Sequence, residues 1–84
     1  MSALNQRSLP VEEWGRRVHD ARRARRLSPD RLARSAAVSE SLVLGIEDGV
    51  LCPADEVKAR LARALHIATD ELFPQLADAG RIVR

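Results

Sequence analysis

Between Ser28 and Leu51 the chain sets out, at helical spacing, side chains that can hydrogen-bond, carry charge or meet an apolar partner. Val43 and Ile46, three apart, take the inward side of a short helix and turn Glu40, Ser41, Leu44, Gly45 and Asp48 outward. On that outward side Glu40 only accepts hydrogen bonds, Ser41 donates and accepts, and Leu44 offers apolar surface. Upstream, the amides that open a helix after Ser28 can bind an anion, with the Ser28 hydroxyl beside them. Arg31 and Arg34, and Arg25 or Arg26 just before, add positive charge nearby. This inventory suits non-covalent recognition of an anionic surface.

It does not suit catalysis. His19 and His66 stand far apart in sequence, Cys52 has no motif around it, and no phosphate loop, paired metal ligands or nucleophile elbow is present. The expectation is a protein that is not an enzyme, with no cofactor and no metal. A lone cysteine rules out an intrachain disulfide and fits a reducing, cytoplasmic setting. The first ten residues have no apolar h-region of a signal peptide, and no run is long enough to span a membrane.

The elements that must position these residues are short helices. Pro10 suits a first helical turn, and Val11, Trp14, Val18 and Ala21 form the inward stripe of a helix over about 10–26. Glu12 and Glu13 in its first turn, with Arg25 and Arg26 in its last, match the helix dipole. A second helix starts at Pro29 after Ser28, with Leu32, Ala33 and Ala36 inward. Ser39 caps a third over about 40–48, which Gly49 stops. A fourth covers about 54–65, with Val57, Leu61 and Leu65 on one face, and Thr69 caps a last short helix that ends at Pro74. The pair separated by the turn near Ala37 must cross steeply, so that one helix braces while the other projects.

The stretch from about Trp14 to Phe73 resembles the Cro/CI-type (XRE-like) helix-turn-helix family. The likeness rests on V-H-D-A-R at 18–22, L-S at 27–28, L-A at 32–33, V-S at 38–39, I-E-D-G at 46–49, Pro53, L-A-R-A-L at 61–65 and D-E-L-F at 70–73. It implies an all-α, lambda-repressor-like bundle of about five short helices. The domain would span 9–74, with a leader at 1–8 and a tail at 75–84 that could serve oligomerisation. It further implies a sequence-specific DNA-binding transcriptional regulator, such as a repressor, acting as a homodimer on double-stranded DNA and associated with the nucleoid when bound.

On that resemblance Ser39, Glu40, Ser41, Leu44 and Gly45 occupy positions that touch bases or phosphates, and Arg22 and Glu47 form an ion pair tying the first helix to the third. The chain departs from the family in telling places. Its outward positions hold no Arg, Lys, Asn or Gln for bidentate purine contacts. Pro29 stands where Gln is frequent, and Arg26 and Ala37 where Gly is frequent. Val50, Leu51 and Cys52 replace residues that reach the DNA backbone. Leu44, Val50 and Leu51, joined by Leu42, would make an apolar patch of the kind that marks a protein contact. A protein-interaction module on the same fold is therefore the competing expectation, with a toxin, another regulator or the transcription machinery as partner.

Charge is distributed in line with the first reading. Residues 1–39 carry nine Arg against four acids, a balance of +5, whereas residues 40–84 balance at −3. The basic half is the half that holds the first two helices. With 84 residues and only Trp14 and Phe73 as aromatics, the core must be aliphatic and rich in alanine.

Overall fold

The computed structural model describes residues 9–74. Five helices follow one another in this span: α1 (Leu9–Ala24), α2 (Pro29–Ala36), α3 (Glu40–Glu47), α4 (Asp55–Leu65) and α5 (Thr69–Leu72). The expected leader and tail lie outside it. No helix among the described residues is long and apolar enough to cross a membrane.

The core gathers the apolar stripe of every helix. Val18, Leu32, Val43, Ile46, Leu61 and Leu65 are fully buried, joined by Trp14, Ala33, Ala36, Ala62, Leu72 and Phe73. Val57 and Ala21 pack against this cluster from its edge. Val11 stays half-buried outside it, so the expected α1 stripe begins at Trp14. α1 crosses α3, and α2 lies between α3 and α4. Trp14 meets Phe73 edge-on at 5.9 Å and donates its Nε1–H to the Pro74 carbonyl at 2.7 Å, which closes the bundle.

The first four helices share one device at their ends. After α1, Arg26 takes a left-handed conformation (φ 57°), its N–H bonds Arg23 O, and the N–H of Leu27 reaches back to Arg22 O. Ala37 (φ 60°) with Val38 does the same after α2, His66 (φ 59°) with Ile67 after α4, and Gly49 (φ 76°) with Val50 after α3. This is the Schellman arrangement, in which a left-handed residue lets the next two amides satisfy the last free carbonyls. Leu27, Val38 and Ile67 then fold against the core. Val50, in the same position after α3, is instead 75% exposed.

Three expected boundaries are corrected. α1 stops at Ala24 because Arg26 leaves the helical region, so Arg22 and Arg23, in place of Arg25 and Arg26, occupy its last turn. α3 stops at Glu47, one residue short of the expectation. Thr69 does not cap α5. It is the first helical residue: Ala68, with extended backbone (ψ 144°), holds the cap position, its carbonyl accepts from the Leu72 amide at 3.0 Å, and no side chain caps the helix.

Candidate nucleic-acid interface

The turn between α2 and α3 is built from the residues up. Ser28 Oγ accepts from the Arg31 amide, and Ser39 Oγ from the Leu42 amide, each at 3.1 Å. Both serines therefore start helices, and each keeps its hydroxyl hydrogen free to donate outward. Ala37 provides the left-handed corner, and Arg60 from α4 donates to its carbonyl at 3.4 Å while pairing Glu56 at 2.8 Å.

α3 is clamped from behind. Arg22 donates through Nε and Nη2 to the two Glu47 carboxylate oxygens at 2.7 and 3.0 Å, and through Nη1 to the Leu27 carbonyl at 2.8 Å. One guanidinium thus ties α1, the turn that follows it and the end of α3. The carboxylate side chain is only 5% exposed and the guanidinium 11%. The hydrogen bond to Glu47 raises the Arg22 pKa against the opposing effect of burial, so this group stays charged. His19 joins the cluster, its Nδ1 3.1 Å from Glu47 Oε1 and 3.3 Å from Arg22 Nη2. An open cleft of about 590 Å³ lies in front of it, lined by Glu12, Arg16, Leu44 and Asp48 among others.

Gly15 sets the distance between the two helices. A Cβ there would collide with the Ile46 carbonyl oxygen and stand 2.9 Å from that of Glu47. Only a glycine lets α1 approach α3 this closely. A glycine inside a helix, next to the large Trp14, was the visible signal for such an approach.

On the outer side of α3, Glu40 and Ser41 are exposed, and Leu44 is 41% exposed. Gly45 is half-buried, because the side chain of Leu51 folds back over it. Leu51 is itself 40% exposed, so it extends the α3 surface from the following loop. Leu42 does not join this patch: it packs against the core. Arg31 and Arg34 on α2 are exposed, Arg34 loosely paired with Asp30 at 3.3 Å. Arg25 and Arg26 are exposed as well, and Cys52 is an exposed free thiol. No group of metal-ligating side chains occurs among the described residues.

Behind the interface, a charged residue on the buried side of α4, three before Leu61 and seven before Leu65, supports α1. Lys58 of α4 is buried, with Nζ 4.0 Å from the centre of the Trp14 ring and 5.9 Å from that of Phe73. The two aromatic rings take the place of water around this charge, and the exposed Asp55 stands 3.9 Å away on the solvent side.

No protein-family model and no curated protein matches the chain. A solved structure does: the crystal structure of the restriction-modification controller protein C.AhdI from Aeromonas hydrophila superimposes with a TM-score of 0.73 and 33% sequence identity, over 75% of this chain and 96% of that one. At that identity, across nearly the whole of the controller protein, the present chain belongs to the same helix-turn-helix family.

Proposed function

We propose that the chain is a sequence-specific DNA-binding transcriptional regulator of the Cro/CI type, acting as a homodimer with α3 in the major groove. The observation that carries this reading is the clamped α3. Its rear is held by Arg22 and the close approach at Gly15, while Glu40, Ser41 and Leu44 stand free on its outer side. A rigid helix that projects polar and apolar groups from a steep turn is what major-groove readout needs. The likeness to a restriction-modification controller protein supports a role in controlling transcription.

In this reading the free hydroxyls of Ser28 and Ser39 and the guanidinium groups of Arg31 and Arg34 hold the DNA backbone, while Glu40, Ser41 and Leu44 face base edges. A two-fold dimer would set its two α3 helices about 34 Å apart on a near-palindrome. A second reading, a protein-interaction module, draws on the exposure of Val50 beside Leu44 and Leu51.

Fluorescence anisotropy tests the choice. The purified protein is titrated against labelled DNA from upstream of its own gene and a scrambled duplex, at two salt concentrations. The regulator reading expects tight, salt-sensitive preference for the upstream DNA, with a slope that falls by about one unit for each of Arg31→Ala and Arg34→Ala. Equal, weak binding to both duplexes, unchanged in the double Arg variant, transfers the assignment to the protein-interaction module.

A further inference from the structure

We infer that this interface reads thymine through its 5-methyl group, with Leu44 and Leu51 as the specificity-determining side chains and Gly45 as the residue that seats Leu51. The inference rests on the DNA-binding reading above. It goes further by assigning the chemistry of base readout and by including a residue outside the helix.

Three observations carry it. First, positions 41, 44, 45 and 48 share one side of α3, and the side chain there at 45 is supplied by Leu51. The Val50 and Leu51 amides both bond the Gly45 carbonyl, at 2.9 and 3.1 Å, which pins the loop against the helix. A Cβ on Gly45 would collide with Leu51 Cδ1 and lie 2.8 Å from its Cγ, so the leucine occupies the space a larger residue would fill. Second, the result is two leucines, each about two-fifths exposed, at an α3 outer side that itself holds no Arg, Lys, Asn or Gln. Among the four unmodified bases only thymine presents an apolar group in the major groove. Guanine and adenine present acceptors, or an acceptor and a donor, that leucine leaves unsatisfied. Third, α2, which packs against α3, carries the exposed Arg31 and Arg34, basic groups suited to a nucleic-acid backbone.

The test starts by selecting duplexes from a random-sequence pool with the full-length protein. The enriched duplex is then resynthesised with deoxyuridine replacing thymidine one position at a time, which removes the methyl and leaves every hydrogen-bonding group in place. The expected result is a loss of affinity of about fourfold per methyl at one or more positions in each half-site. Leu44→Ala should bind the thymine and uracil duplexes equally at one such position. Gly45→Ala, which displaces Leu51, should erase the difference at another. Circular dichroism verifies that both variants remain helical, and the uracil comparison on the unaltered protein needs no variant. Equal binding of thymine and uracil duplexes at every position, or full discrimination retained in both variants, overturns the inference and leaves the regulator reading standing. Failure to enrich any sequence withdraws both.

Discussion

Gly15 and Ile46 touch backbone to backbone: the α1 glycine lies against the Ile46 carbonyl at a distance that admits no Cβ. The clash of a larger residue would be with backbone on both sides, which cannot rotate away. Gly15→Ala should therefore destabilise the fold by about 1–3 kcal/mol, even though alanine is the better helix former by up to about 1 kcal/mol. Urea unfolding followed by circular dichroism measures this. A Gly15→Ala variant as stable as the parent would show that α1 and α3 can separate freely.

The Arg22–Glu47 pair should behave as a buried clamp. Removing the arginine alone leaves a carboxylate that is 5% exposed with only His19 Nδ1 beside it. Arg22→Met and Glu47→Leu singly are each expected to cost about 3–5 kcal/mol, whereas the two combined should recover much of that loss. The double-mutant cycle, read by chemical denaturation, separates the pair's coupling from its burial. The raised Arg22 pKa places its own linkage far above neutrality. Its contribution is complete below the free-arginine pKa and is lost only as pH rises through the higher folded value.

Lys58 should be worth more to Trp14 than an alanine would be. Lys58→Ala removes both the stem that covers the ring and the charge 4.0 Å from its centre, and is expected to destabilise by about 1–2 kcal/mol. Trp14 is the only tryptophan, so its fluorescence reports on this site directly. A red-shifted emission in Lys58→Ala is the predicted signature, and an unshifted spectrum would separate Lys58 from the packing of α1.

Ala37 should respond to substitution in the opposite sense. It is exposed and left-handed, at φ 60°. That conformation costs an L-residue with a Cβ about 1–2 kcal/mol, while glycine loses part of the gain through its freer unfolded chain. Ala37→Gly should then stabilise by about 0.5–1 kcal/mol, which in a domain of this size raises the melting temperature by several degrees. A lowered melting temperature would mean that the turn owes its shape to the alanine methyl.

Much of this molecule is legible along the chain because the signals are local. Helix starts at Pro29 and Glu40 follow from Ser28 and Ser39, whose hydroxyls need only an amide three residues away. The inward stripes of α2, α3 and α4 follow from spacing. The left-handed residue at Ala37 was foreseeable from the family resemblance; the expectations do not include His66, although histidine, like asparagine and aspartate, takes that conformation more readily than most residues.

What only the tertiary structure decided are the contacts between residues distant in sequence. Periodicity cannot tell that Gly15 is where α1 meets α3, that Lys58 lies over the Trp14 ring, or that His19 stands beside Arg22 and Glu47. Nor could it tell that Leu51 lies over Gly45. Each of these depends on helix crossing and loop path, which are set by the packing of the whole apolar cluster. Composition and spacing determine which side of each helix is buried, and packing alone decides which side chain fills each gap.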